Sequence, residues 1–187
     1  MQHLLKRRLL LQAAATGLSA GSAAAATATA TPTPPSFPPG QPGEFDFLAG
    51  EWRMHNRRLK APGEWDEFPG EATVHRLLDG KASLEELRIP ARGFAGLGLR
   101  ILNLETHTWM DFWVSARNGV LSGPGMPGHF KDGVGLFEAD DEDKGQPIKI
   151  RSIWDQITPK SCRWHQTVSR DGGKSWEPNW FMDWKRV

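Results

Sequence analysis

Residues 108–119 read TWMDFWVSARNG. In an extended chain successive side chains point to opposite sides. Trp109, Asp111, Trp113 and Ser115 then share one face, and Met110, Phe112 and Val114 share the other. The run closes on Asn118-Gly119, a pair suited to a tight turn between strands. The same grammar repeats in both directions. Upstream lie EWRMHNRRLK (51–60), EATVHRLLDG (71–80), KASLEELRIP (81–90) and GLGLRILNL (96–104). Downstream lie GHFKDGVGLFEA (128–139), IKIRSIWDQI (148–157), SCRWHQTVS (161–169) and EPNWFMDWKR (177–186). Asp79-Gly80 and Asp132-Gly133 supply further turns, SGPGMPG (122–128) reads as a loop, and the acidic run DDEDKGQP (140–147) reads as a solvated turn. Short apolar-polar runs broken this often by turn residues predict an all-β sandwich or barrel. The segment 72–88 also suits a helix by propensity, but Asp79-Gly80 at its middle favours two strands and a turn.

Alternation assigns the faces. Trp52, Met54 and Asn56 share one side; so do Ile148, Ile150, Ser152, Trp154 and Gln156; so do Trp164 and Gln166; so do Trp180, Met182 and Trp184. Several strands thus carry large aromatics with an occasional polar group on one side. The chain has nine Trp, nine Phe and no Tyr. Such rings either fill a core or wall a cavity, and apolar walls with a few polar groups are what a small-molecule site needs. The candidate ligand-binding residues are Trp52, Asn56, Glu86, Arg88, Asp111, Trp113, Trp154, Gln166 and Trp180. The competing reading is a filled core with those polar groups paired to one another.

The ends of the chain bound its class. Lys6, Arg7 and Arg8 precede an uncharged Ala- and Leu-rich stretch, and A-x-A spacings follow among Ala24, Ala26, Ala28 and Ala30. That is the anatomy of an export signal over residues 1–30. Arg7-Arg8 followed by LLLQ resembles the twin-arginine type. Residues 31–43 are dense in Pro and Gly and read as an extended linker. Residues 44–187 are the size of one domain. Without residues 1–30 the 23 Lys and Arg fall to 20 against 22 Asp and Glu. No basic surplus remains to release counterions from DNA or RNA, so nucleic-acid binding is disfavoured. No stable membrane insertion is expected after cleavage, and the expected location is periplasmic or secreted. The lone Cys162, in a strand-like run, excludes an intrachain disulfide and reads as a buried thiol.

At Phe45 the chain reads FDFLAGEWRMHNRRL. Its F-L-x-G-x-W core resembles the opening of lipocalin-type barrels, in which the Trp plugs one end. More closely, residues 44–187 resemble a family of uncharacterised bacterial proteins that begin FDFL-x-G-x-W. Their motifs recur here as WVSARNG, GVGLFEADD, RSIWDQI, RWHQ and SRDGGKSWEPNWFMDW. The resemblance implies an antiparallel, calycin-like β-barrel of about 8–10 strands, and no activity. Residues 169–176 also fit S-x-D-x-G-x-x-W, a hairpin signature of many sugar-cleaving enzymes. A single copy reads as a local turn, with Asp171 accepting backbone N–H groups and Gly172 and Gly173 permitting positive φ.

Specific chemistry finds little support in the motifs. His55, His75, His107, His129 and His165 show no H-x-H or H-x-x-x-H spacing, so no metal is expected. Haem held by one histidine is an alternative, although the glycine-rich start of haem-binding barrels is absent; no cofactor is expected. Glu85 and Glu86 are adjacent and face opposite ways in a strand, so a carboxylate pair needs a second strand, for instance Glu86 with Asp111. GFAGLGL (93–99) leads into a strand and lacks the helix start that cradles phosphate, so its glycines read as bending the strand. The reading is an exported barrel that binds a small, partly apolar molecule. An enzyme using the same cavity, a hydrolase or isomerase with paired acidic and basic side chains, is the first alternative. An envelope protein-interaction module is the second.

Overall fold

A computed structural model describes residues 38–187. The expected export signal and the larger part of the expected Pro-rich linker lie outside the described residues. Ten strands follow one another: β1 (Gly50–Ala61), β2 (Glu64–Leu77), β3 (Ala82–Ile89), β4 (Phe94–Asn103), β5 (Thr108–Ser115), β6 (Met126–Lys131), β7 (Val134–Asp143), β8 (Gln146–Asp155), β9 (Ser161–Ser169) and β10 (Glu177–Arg186). Each pairs antiparallel with its neighbours in sequence, and β1 pairs with β10, so the meander closes into a barrel. Among the described residues every strand has a partner on both sides, which removes the edge strands that invite pairing with another chain.

The alternation that builds the strands also sorts inside from outside. In β1 Trp52, Met54 and Asn56 are buried between exposed neighbours. The segment 72–88 is two strands, as Asp79-Gly80 demands; Leu78, Asp79 and Gly80 all take positive φ in the turn. The acidic run differs from its expected role. Residues 140–143 extend β7, and the turn is confined to Lys144-Gly145, where both φ are positive. A two-residue turn of that hand matches the twist of the paired strands, so the charges can stay in the ladder on its solvated flank.

One end of the barrel is solid. The short turn Asp46–Leu48 folds beneath it. Phe45 sets its ring edge-on to Trp109 at 5.0 Å and to Phe130 at 4.9 Å, with Phe137 at 5.8 Å. Trp52 is 1% exposed and donates its indole N–H to Leu48 O at 2.7 Å. Arg186 lies over the Trp52 ring at 4.3 Å and donates to the carbonyls of Ala49, Phe47 and Pro159. The guanidinium thereby satisfies backbone acceptors that the end of a barrel would otherwise leave unpaired.

The other end is less regular. β5 and β6 pair only through Trp109–Gly128, Met110–Pro127 and Asp111–Met126. Beyond Asp111 the two strands part, and residues 116–125 fill the seam. Ser122 ties that loop to β5: its N–H donates to Trp113 O, and its Oγ accepts from Trp113 N, each at 2.8 Å.

The hairpin at 169–176 is a local turn. Asp171 accepts from the N–H groups of Lys174 and Ser175 and from the hydroxyls of Ser169 and Ser175. These donors, the Ser175 N–H first, hold its carboxyl well below the usual carboxylate range. Gly172 and Gly173 have φ of 74° and 94°. Trp176 folds back on Gly173 O and is covered by Arg151, 3.8 Å from the ring centre.

Candidate functional site

Between the solid end and the seam lies a cavity of about 400 Å³. Its walls are chiefly the inner rows of the strands, joined by Phe112 of β5 and Asp140 of β7 from the outer rows. β4 contributes Phe94, Gly98 and Arg100; β5 contributes Asp111 and Trp113; β8 contributes Ile150, Ser152 and Trp154; β9 contributes Trp164 and Gln166; β10 contributes Trp180, Met182 and Trp184. The loop Ser122–Gly125 and Met126 border the seam. Trp154 and Trp184 meet at 5.5 Å toward the solid end, and Trp164 stands edge-on to Trp180 at 5.7 Å. Trp164 donates its indole N–H to the Ser152 hydroxyl. Phe94 stacks parallel on Trp113 at 5.9 Å.

The glycines of β4 make this room. A methyl group at Gly96 would lie 2.3 Å from Trp113 Cζ2, and one at Gly98 would lie 3.2 Å from Arg100 Nη2 and 3.3 Å from Glu85 Oε2. Gly96 receives the Trp113 ring, and Gly98 leaves space over a buried ion pair. Their role is close approach of side chains from neighbouring strands.

That ion pair is the polar centre of the cavity. Arg100 donates from Nη2 to Glu85 Oε2 at 2.5 Å, with side chains 6% and 4% exposed. The guanidinium also stands 5.1 Å from the Trp154 ring centre and 5.4 Å from that of Phe45. Asp111 approaches from β5, with Oδ1 3.7 Å from Arg100 Nε and a side chain 18% exposed. Burial pushes the Asp111 carboxyl up to about 6; Arg100 pulls it down, and Glu85 adds to the rise. Cys162 is 3% exposed, and burial pushes its thiol up to about 12, so it offers no thiolate near neutrality. Among the described residues, no group of three or more His, Cys, Asp or Glu is placed to hold a metal ion, and no histidine lines the cavity.

The structure brings together five of the residues singled out in the sequence: Asp111, Trp113, Trp154, Gln166 and Trp180 all line the cavity. Two others lie near it without lining it. Asn56 is fully buried and accepts the Trp180 indole N–H at 3.0 Å, fixing the orientation of that ring. Trp52 belongs to the solid end. The remaining two require correction. Glu86 and Arg88 sit on the outer face of β3, where Arg88 binds Glu86 at 2.7 Å, Glu71 at 3.1 Å and the Thr73 hydroxyl at 3.0 Å. Their places inside are taken by Glu85 and Arg100. The pairing of carboxylates across strands is accordingly Glu85 with Asp111, joined through Arg100. A signal for Glu85 was present: Leu87 and Ile89 share its parity and are the apolar members of that strand's end.

No family model matches the chain, and no curated protein matches it. Among solved structures, a protein of unknown function from the DUF3598 family of Nostoc punctiforme is similar at 15% sequence identity with a TM-score of 0.46. The alignment covers 83% of this chain and 53% of that one, so the chain spans about half the length of that protein.

Proposed function

We propose that this protein is an exported small-molecule-binding barrel that holds a partly apolar ligand inside its walls. The observation that carries the reading is the half-open cavity of about 400 Å³ walled in large part by indole rings. That volume falls in the range of about 300–1,000 Å³ typical of sites for small molecules. Aromatic walls supply contact area, and Gln166, Asp111 and Ser152 supply the few polar groups that orient a ligand. The export part of the proposal rests on the basic, apolar and small-residue order of residues 1–30.

The test is native mass spectrometry of the protein purified from its own cell envelope, followed by denaturation. The expected result is a non-peptide mass released on unfolding, and a mature chain that starts after residue 30. Trp180→Ala, which removes one wall and unpairs Asn56, is expected to weaken retention of that mass about tenfold. A ligand-free protein whose melting temperature no small apolar molecule raises would overturn the reading.

A second reading draws on Asp111. A carboxyl lifted to about 6 inside a cavity has the protonation range of a general acid or base. An enzyme of the hydrolase or isomerase kind would use Asp111 in that role, with Arg100 beside it and Glu85 holding Arg100. Turnover that follows a pKa near 6 and is lost in Asp111→Asn would support catalysis over simple binding.

A further inference from the structure

The charge balance of the cavity is uneven. Its lining includes the acids Glu85, Asp111, Asp140 and Asp141 and a single base, Arg100. Asp140 is turned outward, 84% exposed, and is bound to Lys149 at 2.8 Å. Glu85 is matched by Arg100. Asp111 remains. No hydrogen bond reaches its carboxylate among the described residues, and the nearest cationic atom, Arg100 Nε at 3.7 Å, belongs to a guanidinium that Glu85 holds through Nη2 alone, its Nε and Nη1 making no hydrogen bond. An ionised Asp111 therefore leaves the buried trio with one uncompensated negative charge, which is costly away from water.

What surrounds Asp111 is suited to one kind of ligand. Trp113 follows it on the same face of β5, and Trp154, Trp164 and Trp180 complete the wall. The faces of aromatic rings carry partial negative charge and attract cations, most strongly for indole. An anion would meet the two unbonded N–H groups of Arg100 but would add to a net charge already negative across the trio. A neutral hydrocarbon would leave Asp111 without a counter-charge. Resting on the small-molecule reading above, we infer that the cavity takes an organic cation, an amine or quaternary ammonium with an apolar body, whose charge lies beside Asp111 and whose body lies among the indoles.

The charged and titratable groups facing Asp111 are few. Arg100 comes from β4 and Glu85 from β3; Met126, opposite on β6, has no charge; Cys162 on β9 keeps its proton; Asp141 stands at the end of the lining on β7. The pH response of cation binding is then that of Asp111. A ligand of fixed charge binds best when Asp111 is ionised, and its affinity falls by about tenfold from pH 7.5 to pH 5.

Calorimetric titration of the purified protein with three probes tests this. Benzyltrimethylammonium carries a charge that cannot titrate, neopentylbenzene is its uncharged carbon counterpart, and 3-phenylpropanoate carries the opposite charge. At pH 7.5 the cation is expected to bind at least tenfold more tightly than either comparator, and to lose about tenfold at pH 5 while neopentylbenzene does not change. Asp111→Asn keeps the Arg100–Glu85 pair and is expected to erase both differences. Equal binding of the cation and the hydrocarbon, or tightest binding of the carboxylate, would overturn the charge inference and leave the binding barrel standing. Failure of all three to bind, in a protein that unfolds cooperatively, would overturn both.

Discussion

Asp111 concentrates the tension of this molecule in one side chain. Its carboxyl is lifted from the ordinary range near 4 to about 6 by burial, in opposition to Arg100. A folded state that binds a proton more tightly than the unfolded chain is favoured at low pH. The associated stability is complete below about pH 4 and is lost as pH rises through 6. Asparagine has nearly the same shape and no charge to bury. Asp111→Asn is therefore expected to be more stable than the parent at pH 8, by on the order of 2 kcal/mol, and to show no such gain near pH 4. Urea unfolding at the two pH values checks the sign as well as the size.

At the scale of the strand, small residues on inner rows matter as much as large ones. Gly128 on β6 lies under Phe137 of β7, and a methyl group there would fall 2.2 Å from Phe137 Cδ1 and 2.6 Å from Leu136 O. Phe137 is fully buried and cannot swing away. Gly128→Ala is expected to destabilise by about 2–3 kcal/mol, the cost of overpacking a filled interior, measured by thermal or denaturant unfolding. Such glycines also explain where the sequence could be read and where it could not. In β5, β8, β9 and β10 the aromatic row is the inner row, so alternation placed Asp111, Trp113, Trp154, Gln166 and Trp180 on the correct face. In β4 the pattern is inverted. Leu97 and Ile101 face outward, 40% and 37% exposed, while the inner row is Phe94, Gly96, Gly98, Arg100 and Leu102. Binary patterning hides Arg100 there, because an arginine among glycines looks like the solvent side. In β3 charges stand on both faces, and only the partner across the strands decides between Glu85 and Glu86. That partner is Arg100, whose own face the pattern concealed.

At the scale of the whole molecule the barrel divides its labour between its ends. Phe45 holds the solid end together, its ring meeting Trp109, Phe130, Phe137 and Trp154 from four strands. Phe45→Ala is expected to lower stability by about 3–5 kcal/mol, in a single transition seen alike by far- and near-ultraviolet circular dichroism. All ten strands share one closed ladder, so no part is expected to melt ahead of the rest. The short strands alone left sandwich and barrel open, and closure was implied by the resemblance carried by FDFLAGEW. The size of the lumen was not, because the same tryptophans could have filled it. The placing of those tryptophans has a practical side. Five of the nine line the lumen, and the chain contains no tyrosine. Its ultraviolet emission therefore arises from indoles alone, the larger part of them looking onto one small space. Any guest that displaces water from that space or quenches a ring changes the colour and brightness of the protein's own glow, so occupancy can be followed by light without attaching a dye.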